Sequence, residues 1–145
     1  MKELESDIED ILEAYPDLVD EKFIRKDYNI ERQCPLGKNR IDLLISNTEE
    51  WNIIEIKKTP LVYKDYLQIQ RYRSYLRNQH KNLTVWGYLI GYSNKSAVKI
   101  DRRSFRWLKV LYLDADLPSQ IRICRSCRKP IPKFSYECEY CFSRI

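Results

Sequence analysis

Two short apolar runs, Arg40–Ser46 and Trp51–Lys58, are separated only by Asn47-Thr48-Glu49-Glu50, and this leaves few ways for the chain to fold. Both runs are rich in Ile and Leu, and with a polar spacer of this length they predict two antiparallel strands joined as a hairpin. A four-residue loop sets the register: Ser46 faces Trp51, Leu44 faces Ile53, and Asp42 faces Glu55. Strand side chains alternate with a period of two, so Glu55 and Lys57 share a sheet face, and Asp42 emerges on that face opposite Glu55. Two carboxylates are thus expected to meet among Ile41, Leu43, Ile45, Ile53, Ile54 and Ile56.

Opposed carboxylates repel each other, and the pair destabilises a sheet unless something offsets the charge. A hard divalent cation such as Mg²⁺ or Mn²⁺ would do so, because these ions take carboxylate oxygens. Lys57 would stand beside the ion, able to hold an attacking water or to neutralise charge growing on a phosphate. In the same register Arg40 lies opposite Lys57 and adds a second cation for nucleic acid. The plainer explanation is a salt bridge from Asp42 or Glu55 to Lys57 at the end of an ordinary hairpin. Spacing, shared face and apolar flanks together favour the chemistry of phosphodiester hydrolysis.

The rest of the chain supplies an α/β frame. Leu4, Ile8, Ile11, Leu12 and Tyr15 recur at helical spacing, which predicts a helix from about Glu3 to Tyr15, stopped by Pro16. An extended segment from Ile24 to Gln33 is expected to end at Cys34-Pro35-Leu36-Gly37. Thr59-Pro60 offers an N-cap and first-turn proline for a helix reaching about Gln79. Thr84–Tyr92 and Trp107–Leu113 favour strands. The expected architecture is a mixed sheet of four or five strands flanked by helices over residues 1–117. A small module occupies 118–145, beyond a linker containing Pro118.

Composition fits a folded chain, with 43% hydrophobic and 32% charged residues. No apolar run is long enough to span a membrane, and the acidic first ten residues lack the apolar stretch of a signal peptide, so a cytoplasmic location is expected. Residues 1–50 carry 7 Lys/Arg against 14 Asp/Glu, whereas the remainder carries 19 against 7. A basic carboxyl-terminal two-thirds suits a nucleic-acid backbone, although a charge count alone favours a solvated surface and a site is needed to support the first reading.

Four of the five cysteines form C-x₂-C-x₁₀-C-x₂-C: Cys124, Cys127, Cys138 and Cys141. Two such knuckles close a structural Cys₄ zinc site, and a module this short depends on its metal to fold. Arg125, Arg128 and Lys129 lie among aromatic residues there, a pattern suited to gripping nucleic acid. A stabilising or protein-contact module is the other reading. Cys34 reads as buried filler, and His80 as a helix-end residue in a favourable dipole.

Arg40-Ile41-Asp42-Leu43-Leu44 followed by Ile53-Ile54-Glu55-Ile56-Lys57-Lys58 resembles the D…ExK signature of the PD-(D/E)xK nucleases. The likeness is nearest to the nuclease domain of archaeal and bacterial mismatch and branched-DNA endonucleases (NucS/EndoMS-like), and covers residues 5 to 115. Glu5, Ile8-Glu9 and Tyr15-Pro16 are similar to that family's opening helix, Arg32-Gln33 to its Arg-Gln before the hairpin, and Gln68 with Tyr72 to its helical Q-x-x-x-Y. Ile41 replaces the proline of the signature's name, as in many members. The resemblance implies a restriction-endonuclease-like fold acting on DNA with no small-molecule cofactor, and a homodimer cutting both strands. It implies that Asp42, Glu55 and the carbonyl of Ile56 hold the metal beside Lys57, with Glu9 reaching the metal's water shell. Ser6-Asp7-Ile8-Glu9 also has the form of a capping box, so both readings of Glu9 stay open. Gln68 and Tyr72, one helical turn apart, would orient the lysine or contact DNA; without the resemblance they read as a partly exposed Gln and a packed Tyr. Arg71, Arg73 and Arg77 read as a phosphate-facing fringe. A non-catalytic nucleic-acid-binding protein on the same scaffold, or an RNA nuclease, remains the alternative.

Overall fold

The computed structural model describes residues 5–24, 27–93, 106–113, 116, 121–124, 126–127, 130–132, 137 and 141–142. Helix α1 (Glu5–Ala14) is followed by two 3₁₀ turns, Pro16–Leu18 and Glu21–Ile24. Strands β1 (Asn29–Leu36), β2 (Asn39–Ser46) and β3 (Glu50–Pro60) lead to helix α2 (Tyr63–Gln79), then to β4 (Thr84–Tyr92) and β5 (Leu108–Tyr112). These strands form one sheet in the order β1-β2-β3-β4-β5, antiparallel through β3 and parallel from β3 to β5. A separate two-stranded sheet pairs β6 (Ile121–Ile123) with β7 (Pro130–Pro132).

The two helices cover opposite faces. Ile8, Ile11 and Leu12 of α1 pack on Leu43, Ile45, Ile54, Ile56 and Ile90, while Ile69 and Leu76 of α2 pack on Ile41, Leu44, Ile53 and Val85. With both faces buried, the middle strands need apolar side chains on both sides, which is why β2 and β3 read as near-continuous runs. Each fully buried Ile or Leu contributes roughly 1.5–3 kcal/mol, so burial on both faces of these strands stabilises the sheet. Among the described residues, no helix is long and apolar enough to cross a membrane.

The hairpin register has Ser46 opposite Trp51 and Leu44 opposite Ile53, as the loop length requires. Elsewhere the structure departs from the sequence-based expectation. Strand β1 continues through Cys34-Pro35 to Leu36, and the turn falls at Gly37, whose φ of +61° suits glycine. A proline is tolerated there because β1 is an edge strand. Thr59-Pro60 finishes β3, where Pro60 pairs with Tyr92, and α2 starts only at Tyr63. The carboxylate of Asp65 accepts a hydrogen bond from the Val62 N–H at 2.9 Å and supplies that helix start. Helix α1 begins by Glu5, which puts Ser6 inside it rather than at a cap.

Candidate active site

The sheet opens at Asp42. The β1–β2 register passes from Arg32–Leu43 to Cys34–Ile41, and the β2–β3 register stops at Leu43–Ile54. The faces exchange at the same level. Ile30 and Leu43 belong to the α1 layer, whereas Cys34 and Ile41, an even number of residues away on the same strands, pack in the α2 layer. Regular alternation forbids this, so both strands twist at the Gln33–Asp42 level. The acidic side chains fill the opening: Ile56 N–H donates to Asp42 Oδ2 at 2.8 Å, and Asp42 N–H donates to Glu55 Oε1 at 3.2 Å. A strand residue's N–H and C=O point the same way, so the Ile56 carbonyl faces this gap too. Immediately beyond, the β3–β4 register shifts between Ile56 and Pro60, and Lys57 sits in that irregularity. Bulges of this kind re-aim side chains beside active sites.

The charges here are under pressure. Glu55 is only 3% exposed, and burial, followed by the charge of Asp42, pushes its carboxyl up to about 8. The charge of Lys57 works in the opposite direction. Glu9, 5% exposed on α1, is also raised, by burial first and by Asp42 among its neighbours. Arg32 donates to Glu9 at 3.0 Å and to Asp10 at 2.5 Å, and Gln33 Nε2 donates to Glu9 Oε1 at 2.7 Å. From the other layer, Gln68 Nε2 donates to the Tyr72 hydroxyl at 3.0 Å. Burial first, and then the charge of Glu55, raise the Tyr72 hydroxyl above its ordinary value.

Hydrogen bonds join Asp42 to Glu55 and Ile56, and Gln33 joins Asp42 to Glu9; Lys57 follows in the adjoining irregularity, while the Gln68–Tyr72 pair lies in the α2 layer. Arg40 lies beyond the last β2–β3 pair, Leu43–Ile54, and on its other side pairs with Pro35 of β1. Arg71 is exposed on α2. Arg73 is no surface fringe, because its Nε donates to the Val85 carbonyl at 2.9 Å and its guanidinium lies 4.7 Å from the Trp107 ring centre. In sequence Gln33 is only half of an Arg-Gln motif; in the structure its amide reaches both Glu9, at 2.7 Å, and Asp42, at 3.5 Å. No periodicity signals such a role. Cys34 is half-buried and its thiol is pushed up to about 11, chiefly by burial, which disfavours the thiolate.

Two metal types suit the donors present. Asp42, Glu55 and the Ile56 carbonyl offer hard oxygens, and the like-charge pressure on Glu55 is what a divalent cation would relieve. In the carboxyl-terminal module, the sulfurs of Cys124, Cys127 and Cys141 all lie within 4.8 Å of one another. Cys124 and Cys141 are 3.7 Å apart, close to the edge of about 3.8 Å of a tetrahedron with 2.3 Å zinc–sulfur bonds. Cys138, Arg125, Arg128 and Lys129 lie outside the described residues.

No protein-family model and no curated protein matches the sequence. Two solved structures resemble the fold. A repair endonuclease from Pyrococcus abyssi superposes with a TM-score of 0.60 at 17% identity, covering 78% of this chain and 48% of its own. EndoMS in a complex with double-stranded DNA superposes with a TM-score of 0.58 at 16% identity, covering 74% of this chain and 44% of its own. The chain thus spans less than half the length of either. Over that span it shares the fold of both.

Proposed function

We propose that the chain is a metal-dependent endonuclease that hydrolyses phosphodiester bonds of branched, mismatched or otherwise structured DNA. One observation carries this reading: two carboxylates enter a break in the sheet and take the backbone N–H groups that a ladder would otherwise use, with a lysine at the adjoining irregularity. Asp42, Glu55 and the Ile56 carbonyl would hold Mg²⁺ or Mn²⁺, which when bound polarises a phosphate oxygen and makes water acidic. Lys57 orients the attacking water and offsets negative charge building on phosphorus. Glu9 takes a hydrogen bond from water in the same gap. The Gln68–Tyr72 pair keeps the lysine aimed, and Arg71 contacts the DNA backbone. Water adds to phosphorus and gives up a proton to solvent as the P–O ester bond breaks, and the departing oxygen takes up a proton, leaving a phosphate monoester and a hydroxyl with no covalent enzyme intermediate.

The chain divides into a nuclease domain, 1–117, and a zinc ribbon, 118–145. In the ribbon Cys124, Cys127, Cys138 and Cys141 hold a structural Zn²⁺, and Arg125, Arg128 and Lys129 grip the substrate. Two copies acting together would cut both strands.

Purified protein should be incubated with branched, mismatched, single-stranded and RNA substrates, with Mg²⁺, with Mn²⁺ and with EDTA. Cleavage of structured DNA that stops with EDTA and in Lys57→Ala, while binding survives, is the expected result. Binding without cleavage under every condition would reduce the chain to a nucleic-acid-binding scaffold, and preference for RNA would change the substrate class. Elemental analysis should give one zinc per chain.

A further inference from the structure

Neighbouring residues on a strand point to opposite faces, so Arg32 and Gln33 should not reach the same carboxylate. They do: Arg32 donates to Glu9 Oε2 at 3.0 Å and Gln33 to Glu9 Oε1 at 2.7 Å. The means is visible in the backbone. Gln33 has φ +50°, in the left-handed region, and is one of two described non-glycine residues with positive φ; the other, Phe142, lies in the cysteine module. Regular alternation would send Gln33 toward α2, but its twisted backbone turns the amide toward α1. The same Nε2 comes within 3.5 Å of Asp42 Oδ1. A β-strand that carries an unfavourable backbone at one position, where the ladder also opens, is spending stability on the direction of one side chain.

We propose that Gln33 is a positioning residue: its amide ties Glu9 on α1 to Asp42 on β2 and so sets the spacing of the carboxylates that receive the divalent cation. This rests on the nuclease reading for its purpose, though not for its geometry. The amide suits the task because it donates hydrogen bonds while remaining neutral. An arginine would compete with the cation, whereas a glutamate would add a fourth carboxylate to Glu9, Asp42 and Glu55. Arg32 cannot substitute, since its guanidinium is engaged by Glu9, Asp10 and Glu13 on α1.

The test compares Gln33→Gly with Gln33→Ala and the unaltered chain. Glycine removes both the amide and the backbone strain, whereas alanine removes only the amide. Calorimetric titration with Mn²⁺ should show both variants binding about tenfold more weakly, alongside a matching rise in the Mn²⁺ concentration needed for half-maximal cleavage. Thermal unfolding without divalent ions should separate them: the glycine variant melts a few degrees above the alanine variant and no lower than the unaltered chain. A purely structural role predicts that affinity falls only together with melting temperature. Unchanged Mn²⁺ affinity in the well-folded glycine variant would overturn the assignment of Gln33 while leaving the nuclease reading intact. If the unaltered chain binds Mn²⁺ but cleaves nothing, the nuclease reading fails, and Gln33 is still judged on the affinity difference. No Mn²⁺ binding by the unaltered chain overturns both.

Discussion

Strand β3 carries two glutamates five residues apart, and their environments are opposites. Glu50, at the start of the strand, accepts hydrogen bonds from the Tyr28 hydroxyl at 2.6 Å and Trp86 Nε1 at 3.0 Å, and pairs with the Lys22 ammonium at 3.2 Å. Lys22 is itself surrounded by the rings of Phe23, Trp86 and Tyr88. Burial works against the charge of Glu50, but hydrogen bonds from Tyr28, Lys22 and Asn52 and the Lys22 charge outweigh it and lower the carboxyl. Glu55, at the other end, is more deeply buried, faces a second carboxylate, and is raised. A satisfied acid holds structure together. An acid left under electrostatic pressure is available for chemistry, because a cation can relieve what the protein does not.

The largest expected effect separates these two residues. Glu55→Ala should lower single-turnover cleavage by on the order of 10³-fold while gel-shift affinity for DNA stays close to normal. Lys57→Ala should cost about 10²-fold under the same assay. Glu50→Ala should cleave at nearly the normal rate in the cold but lose roughly 2–4 kcal/mol of stability in denaturant titration, because Tyr28, Trp86 and Lys22 all lose their partner. Should Glu50→Ala abolish cleavage without lowering stability, the division of labour along β3 would be wrong.

The acidity of the two residues gives a pH test of opposite sign. Glu55 is raised, so between its unfolded value near 4.5 and its folded value near 8 the folded chain holds more protons than the unfolded one. Its contribution is fully present below that window and is lost as pH rises through it. Glu9, also raised, acts in the same direction. Glu50 is lowered, so its contribution is present above 4.5 and disappears as acid protonates it in the folded state. Denaturant titrations between pH 5 and 8.5 at low divalent concentration should therefore show stability falling by on the order of 2 kcal/mol. Glu55→Gln should flatten that slope, and added Mn²⁺ should also flatten it by stabilising the ionised form. A slope unchanged in Glu55→Gln would mean that the residue is not under pressure.

Much of this was legible in the sequence, for identifiable reasons. Period-two patterning and a four-residue loop fix a hairpin register, so the Leu44–Ile53 pairing could be worked out by counting; Asp42 and Glu55 do touch, through the Asp42 N–H, but beyond the last ladder pair. The count fails where the strand stops being regular. Counting alone carries the register on to Arg40 and Lys57, whereas the paired ladder ends at Leu43–Ile54, and nothing in the pattern announces that end. A glycine at position 33 would have warned of a left-handed residue; glutamine gives no such warning. Thr59-Pro60 is good helix-start chemistry, but pairing of Pro60 with Tyr92 on β4 kept it in the sheet. Gln68 and Tyr72 could be singled out only through the resemblance to a nuclease family, because periodicity sees a tyrosine packed on a helix and no more.

The smallest expected effect separates two arginines on α2 that the sequence does not distinguish. Arg71 is exposed and immediately precedes Tyr72, whereas Arg73 is half-buried, bonded to the Val85 carbonyl and stacked on Trp107. Burial, and then Arg77, even lowers the Arg73 guanidinium, which is the signature of a cation used for packing. Arg73→Ala should therefore cost about 1–2 kcal/mol of stability through the lost stack and hydrogen bond. Arg71→Ala should leave stability unchanged and weaken DNA binding slightly for every sequence, reducing the slope of log affinity against log salt by about 1. Its cleavage rate at saturating DNA should stay normal, since a backbone contact made equally in ground and transition states affects KM but not kcat. If Arg71→Ala leaves the salt slope unchanged, DNA does not cross the exposed face of α2, and it must approach the carboxylates from the β1–β2 side of the opening.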